Sequence, residues 1–462
     1  MKKYKIWIAA LVMAVATPAI AQNEQTITVT NENGTNEQIG VPESMTQQID
    51  SLLQLYNAKL YLHPDSDCHF PDVNPIYDKQ TMIERLAQLP TVIELPYNEV
   101  VRSFIDRYTT DLRQSVSYMI GAQNFYMPIF EEALEAYGLP LELKYLPIIE
   151  SGLNPKAVSR AGATGLWQFM LKTAKRYGLE VNSMVDDRCD IVKASYAAAH
   201  YLSDLYKVYK DWPLVIAAYN CGPSAISKAI HRSKGETDYW KIYPNLPRET
   251  RGYVPAFIAA NYVMNYYCDH NICPMTADLP IKTDTVMLDR NVHFEQIAHV
   301  TGIDMSLLRA LNPQYRRDII NGNTTLSSLR LPQAMVTTFI DNEDSVYAYN
   351  PKNFTAKRTE VELDDKNSYV VSRNQVTMMA SAKADVDEST RTNTQSSRKS
   401  SSRSRSKTTK KSRKERTKTV SIREGDTLSE IAERNGTTVS KLRKLNKISG
   451  SSIRAGKKIR VR

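Results

Sequence analysis

The chain has 462 residues, enough for two to four domains at roughly 150 residues each, so a single small module is excluded. With 42% apolar and 24% charged residues it is neither a membrane bundle nor a wholly disordered chain. A net charge of +10 invites a nucleic-acid reading. Its placement argues otherwise: residues 391–418 hold 12 Lys/Arg and one acid, Glu415, residues 419–462 hold 11 Lys/Arg and 4 acids, and the body before them is acidic.

In chain order, residues 1–21 read as a secretory signal peptide. Lys2, Lys3 and Lys5 precede an apolar run from Ile6 to Ala16, and Pro18, Ala19 and Ala21 form an A-x-A-like cleavage site. The run falls short of the roughly 20 residues that span a bilayer, which disfavours the alternative of an uncleaved anchor. No cysteine follows the cleavage site, so lipidation there is not expected. Residues 22–110 read as a flexible polar entry and a helical lead-in interrupted by Pro64, Pro71, Pro75, Pro90 and Pro96. Residues 111–275, with helical apolar spacing punctuated by Gly and Pro, form the largest compact unit.

Export permits up to two internal disulfides among Cys68, Cys189, Cys221, Cys268 and Cys273, with the pairing open. Cys268, His270 and Cys273 cluster, but without a fourth partner they fit loop closure or packing better than zinc. No metal and no cofactor is called for.

In the next stretch Gly138 stops one helix and Pro140 opens another, with Leu139, Leu143, Leu146 and Glu150 on one helical stripe. Desolvation by Leu146, Pro147 and Ile149 would keep Glu150 protonated, as a general acid for a glycosidic oxygen requires. On spacing alone, a buried Glu paired with a base such as Arg160 fits equally. The neighbouring residues favour the acid. Ser151-Gly152 ends the helix, and Ser159, Gly162, Gly165, Trp167 and Gln168 follow, with glycines that allow close backbone approach and a ring and an amide suited to an N-acetyl sugar. Further on, Tyr219 and Asn220 precede Gly222-Pro223, and Tyr253 lies in a charged helix start. The excess of 26 Tyr over 9 Phe suits a polar cleft lined with amphipathic rings.

Toward the C-terminus, a shift of 134 residues aligns 285–312 with 419–446 without a gap, and ten of 28 positions are identical. This is an internal repeat of one supersecondary unit. In the later copy Val420 and Ile422 alternate as a strand, Gly425-Asp426 turn, and Thr427 with Glu430 forms a capping box. Leu428, Ile431 and Ala432 face inward until Gly436; a second helix carries Val439, Leu442 and Leu445, and Ile459 and Val461 close the unit as βααβ. Between the copies, residues 334–418 drift into Ser, Thr, Lys and Arg and read as a disordered linker.

The βααβ unit resembles the LysM module, a binder of peptidoglycan and chitin, over residues 419–462. The copy at 281–333 has Asn291-Val292 where the other has Gly425-Asp426, so it reads as a degenerate LysM-like domain. The strings P-I-I-E-S-G, A-V-S-R-A-G-A-T-G-L-W-Q-F, A-A-Y-N-C-G and E-T-R-G-Y-V-P, in this order, resemble the soluble lytic transglycosylase (SLT) family, and within it the membrane-bound branch that joins this domain to LysM modules. The resemblance implies an α+β chain: a mainly α-helical, lysozyme-like (goose-type) catalytic domain plus small LysM domains. It implies Glu150 as catalytic acid/base, with Ser151, Ser159, Gln168, Tyr219, Asn220 and Tyr253 on the glycan cleft. The reaction it implies cleaves the β-1,4 bond between N-acetylmuramic acid and N-acetylglucosamine with a 1,6-anhydro product.

The expected partners are glycan strands and, for LysM, N-acetylglucosamine polymer, with no nucleic acid. The expected location is outside the cytoplasm, in the periplasm at the wall, with peripheral contact to the outer membrane left open. Departures from the family pattern are the leader without its cysteine, Cys221 in place of Ser, and the long basic linker. The rival readings are a lysozyme-type hydrolase, a catalytically silent wall binder and, if export fails, a nucleic-acid binder.

Overall fold

A computed structural model describes residues 26–30, 33–46, 62–277, 279–280 and 282–351, and within the C-terminal module 419–422, 428–435, 437–446, 448 and 457–461. The signal peptide, the basic run 391–418, and Thr427 of the capping box lie outside the described residues.

The body is helical, and its elements follow from the caps and breakers of the sequence. Strands β1 (Thr26–Thr30) and β2 (Asn36–Gly40) pair antiparallel. Strand β3 (Leu62–Pro64) leads to α1 (Lys79–Gln88), α2 (Glu99–Thr109) and the long α3 (Arg113–Ala136). Asp78 and Asn98 cap α1 and α2 by accepting from the Thr81 and Val101 amides. Next come α4 (Leu146–Ser151), α5 (Leu171–Arg176), α6 (Ile191–Tyr209), α7 (Trp212–Cys221), α8 (Pro223–Arg232), α9 (Tyr239–Ile242) and α10 (Arg248–Tyr266). Helix α10 is buried at every position from Gly252 to Met264, as an axis enclosed by α2, α4 and α7 must be.

Two expectations for the N-terminal region change here. Residues 26–30 and 33–46 are no flexible entry: Val29, Ile39, Val41 and Met45 are in the main core, and β2 lies on α10. The approach is close enough that a Cβ on Gly252 would sit 2.2 Å from the Gly40 carbonyl oxygen. The lead-in 62–110 likewise joins the same core through Met82, Leu86, Phe104 and Ile105, so the body extends well ahead of residue 111. Cys68 and Cys273 form a disulfide that ties this lead-in to strand β4 (Met275–Ala277), which pairs with β3. The Cys268, His270 and Cys273 cluster is thereby divided: His270 sits between Asn74 Oδ1 at 2.7 Å and Tyr262 Oη at 3.1 Å, and Cys268 is an exposed thiol.

The LysM-like domain has β5 (Thr283–Leu288), β6 (Asn291–His293), α11 (Phe294–Thr301), α12 (Met305–Leu311), β7 (Ile319–Asn321) and β8 (Ser327–Pro332). β5 pairs with β8 and β6 with β7, which adds a short inner pair to the expected βααβ order. It does not stop at residue 333. Helices α13 (Gln333–Asp341) and α14 (Glu343–Ala348) fold back and bury Val336, Phe339, Ile340 and Val346 in its core. Residues 334–348 are therefore not linker; their apolar positions keep helical spacing, which is lost when composition is averaged over the longer polar stretch.

In the C-terminal module β9 (Thr419–Ser421) pairs with β10 (Lys458–Arg460) around α15 (Leu428–Arg434) and α16 (Val439–Asn446). The repeat is visible in one hydrogen-bond pattern. Asn312 Nδ2 donates to the Leu308 and Arg330 carbonyls at 2.9 Å each, and the Arg330 amide returns to Oδ1 at 2.7 Å. The matching Asn446 donates to the Leu442 and Arg460 carbonyls at 2.8 Å each and accepts from the Arg460 amide at 2.8 Å. The two modules share a core, with α15 against β5 and Arg443 Nη1 on the Ile340 carbonyl at 3.0 Å.

Candidate active site

Glu150 is placed by a broken helical path. Residues Leu141–Tyr145 form a tight 3-10 turn, and Pro147 opens α4, so the stripe predicted as one helix is two pieces. Proline lacks the N–H that a continuous helix would use, and its φ suits a helix start. In α4 every residue but Glu150 is buried, and Gly152 at φ +59 closes it with a left-handed cap. Glu150 is half-buried and opens on a cleft of about 590 Å³.

Tyr253, buried on α10, donates its hydroxyl hydrogen to Glu150 Oε1. Burial pushes the Glu150 carboxyl up to about 8; the bond from Tyr253 opposes this and the Glu249 carboxylate adds to it. The group is thus mainly protonated at neutral pH. Burial, reinforced by Glu150, also holds the Tyr253 and Tyr219 hydroxyls well above their ordinary values, so both are donors there. Arg160 does not pair with Glu150; its amide and Nε meet Glu43, at 3.1 Å and 3.4 Å from Oε1.

Ser159, Gln168, Tyr219, Asn220 and Tyr253 join Glu150 on the cleft. The loop carrying the first two is self-bonded. Thr164 and Phe169 exchange amide and carbonyl at 3.1 Å in each direction, and Ser159 Oγ accepts the Ala163 amide at 3.0 Å. Gln168 has φ +48, and its Nε2 donates to the Gly165 carbonyl at 2.8 Å. Tyr219 reaches the Trp167 carbonyl at 2.8 Å, and Asn220 Oδ1 accepts from Thr250 at 2.9 Å.

Ser151 does not line this cleft but a small cavity beside it, with Glu150, Ser159 and Gln168. It is buried and its hydroxyl is directed at the Pro147 and Leu166 carbonyls at 3.0 and 2.9 Å, fastening α4 to the loop. Trp167 also offers no face to a sugar. It is buried, donates to Ser195 Oγ at 2.9 Å and meets Phe130 edge-on, supporting the loop from below.

Sequence reading missed two carboxylates that also line the cleft, Glu43 and Glu249. Glu249 lies four residues before Tyr253 and so on the same face of α10, a signal present in the E-T-R-G-Y-V-P string. Glu43 arrives with Gly40, Val41 and Pro42 from the N-terminal segment, and Ser44 fastens that segment to the Ile149 carbonyl at 2.5 Å. No local pattern announces a contact across 105 residues.

A desolvated carboxyl held by a tyrosine, on a helical body with appended βααβ modules, agrees with the class the family comparison gives: the chain carries a domain matching the family described as Transglycosylase SLT domain, at residues 127–242. Residues 282–348 match the family Lytic transglycosylase MltD, LysM-like domain, and residues 420–462 match the LysM domain. The particular relatives sharpen this. Membrane-bound lytic murein transglycosylase D of Escherichia coli is 31% identical over 222 residues, which are 47% of this chain and 48% of that protein. Soluble lytic murein transglycosylase of the same organism is 31% identical over 124 residues, 26% of this chain and 19% of that one. The crystal structure of the 70 kDa soluble lytic transglycosylase of Escherichia coli is 23% identical, covers 38% of this chain and 31% of its own, and has a TM-score of 0.29. The chain thus spans about half the length of the first of these relatives, or less.

Proposed function

We propose that the chain is a peptidoglycan lytic transglycosylase. The observation that carries this reading is a carboxyl group held protonated near neutrality, within hydrogen-bond reach of a buried tyrosine, on a cleft formed largely by the SLT domain. In this scheme Glu150 gives its proton to the glycosidic oxygen between N-acetylmuramic acid and N-acetylglucosamine, and the C1–O bond breaks. The resulting carboxylate takes the proton of the muramic C6 hydroxyl as that oxygen closes on C1, giving a 1,6-anhydro ring without water. Tyr253 donates to the carboxylate formed in between. Ser159, Gln168, Tyr219 and Asn220 bind the glycan, and Ser151 serves by joining α4 to the loop. The chemistry calls for neither metal nor cofactor.

The LysM match supports attachment to glycan strands, and the run 391–418 adds attraction to wall polyanions that weakens with salt. The leader and these modules support an exported, wall-associated location in the periplasm; among the described residues no helix is long and apolar enough to cross a membrane. A hydrolytic reading has one observation in its favour, the further carboxylates Glu43 and Glu249 on the same cleft. The products decide between them. Mass analysis of digested sacculi should give muropeptides lighter by one water; hydrated muropeptides would replace the lyase with a lysozyme-type hydrolase.

A further inference from the structure

At the junction between the helical body and the LysM-like domain the buried carboxylate of Asp186 is held from both sides. From its own segment it takes Arg188, with Nε on Oδ1 and Nη2 on Oδ2 at 2.9 Å each. From the LysM-like domain it takes Arg316, with Nη2 on Oδ2 at 2.5 Å. Two backbone bonds flank the pair: the Asp186 amide to the Gln314 carbonyl and the Arg316 amide to the Met184 carbonyl, each 2.9 Å. Segment 184–188 is thus held from the LysM-like side.

Its other side grips the cleft loop. Arg188 Nη1 donates to the Gly162 carbonyl at 3.1 Å and the Phe169 carbonyl at 3.3 Å. Gly165, at φ +87, lies so close that a Cβ there would be 1.8 Å from the Arg188 carbonyl oxygen. The loop from Gly162 to Phe169 presents Gln168 to the cleft, and its Trp167 carbonyl receives Tyr219.

We propose that Arg316 is a positioning residue for the cleft: it holds Asp186 from across the domain junction, so that Arg188 keeps the Gly162–Phe169 loop where Ser159 and Gln168 meet the glycan. The LysM-like domain then contributes to substrate binding without touching substrate. This rests on reading the cleft as a glycan site. The brace does not touch Glu150 or Tyr253, and the loop it holds meets α4 through Ser151 on the Leu166 carbonyl, a bond Arg316 does not make, so its loss shows mainly in substrate affinity and less in proton transfer. Removing Arg316 also leaves Asp186 paired with Arg188, so no buried charge is orphaned and the fold is retained.

The test compares the full-length protein with Arg316→Met, Arg316→Lys and Arg290→Met. Arg290 serves as the control because it is on the same domain but pairs with Asp344 and stacks on Tyr347, away from the body. Kinetics are measured on soluble uncrosslinked glycan strands, and hydrogen exchange on peptides covering 159–169. Expected for Arg316→Met is KM raised roughly three- to tenfold with kcat within about twofold, and faster exchange in 159–169. Lys at 316 should recover part of both effects, and the control should match wild type. A folding defect would lower kcat at unchanged KM, because fewer molecules are active. Unchanged KM and unchanged exchange in 159–169 would overturn the proposal. If wild type fails to cleave the strands, the reading of the cleft falls instead, and the exchange arm alone decides the brace.

Discussion

Replacing Tyr253 by Phe should shift the alkaline limb of the pH profile upward. The Tyr253 hydroxyl bonds Glu150 Oε1, and this bond opposes the rise that burial imposes on the carboxyl. A bond to the ionised form is worth about 1.5–3 kcal/mol and one to the neutral form about 1 kcal/mol, so the difference is about 0.5–2 kcal/mol. At 1.36 kcal/mol per unit this moves the carboxyl by about one unit, from about 8 toward higher pH. Burial and the Glu249 charge remain and act in the same upward direction. The assay is kcat/KM on soluble glycan strands against pH, which reports the acid of the free enzyme. The variant should be slower at its optimum, having lost a donor to the carboxylate formed during turnover, yet should lose activity at higher pH than wild type. An alkaline limb that stays put or moves down would refute this account of how the group is tuned.

Other outcomes follow from the same geometry. Glu150 binds its proton more tightly folded than unfolded, so its contribution to stability is complete below pH 4.5 and is lost as pH rises through about 8. Glu150→Gln should therefore match wild type in denaturant melts at pH 4 and exceed it at pH 9 by about 2–3 kcal/mol, a figure discounted for the open side of the cleft; equal stability at both pH values would count against a raised pKa. Reducing the Cys68–Cys273 bond, which spans 205 residues, should cost about 2–5 kcal/mol, read as a fall in unfolding midpoint with and without reductant. Gly165→Ala, which combines a left-handed backbone with the Arg188 carbonyl in its path, should lower the free energy of unfolding by more than about 1 kcal/mol and reduce glycan turnover; a variant as stable as wild type would mean the loop is freer than it looks.

Local chemistry was readable in the sequence wherever residues close in the chain act together. Glu150 with Gly152, Gln168 with Gly165, and Tyr219 with Asn220 each lie within one turn or helix end, and the two LysM-type units announce themselves by identical residues at one offset. Buried positions were harder. Trp167 and Ser151 have side chains that look apt for a sugar, and only packing shows that one ring rests on Phe130 and one hydroxyl is taken by backbone carbonyls. The N-terminal wall of the cleft was not legible at all. Residues 26–30 and 33–46 are polar and short of apolar runs, and their place is set by a few well-spaced side chains such as Ile39 and Met45 and by the close approach of Gly40 to α10. The helices after β8 were hidden by averaging, since four apolar side chains anchor a stretch whose surroundings are charged and small.

The central claim is that Glu150 is the acid that cleaves the glycan, and the most direct test is Glu150→Gln assayed on purified sacculi. The substitution keeps size and removes the proton that can be given and taken back. The account predicts at least about a hundredfold loss of soluble muropeptide release, with an unchanged circular dichroism spectrum and unchanged retention on sacculi. Release at the wild-type rate by a folded Glu150→Gln protein would contradict it.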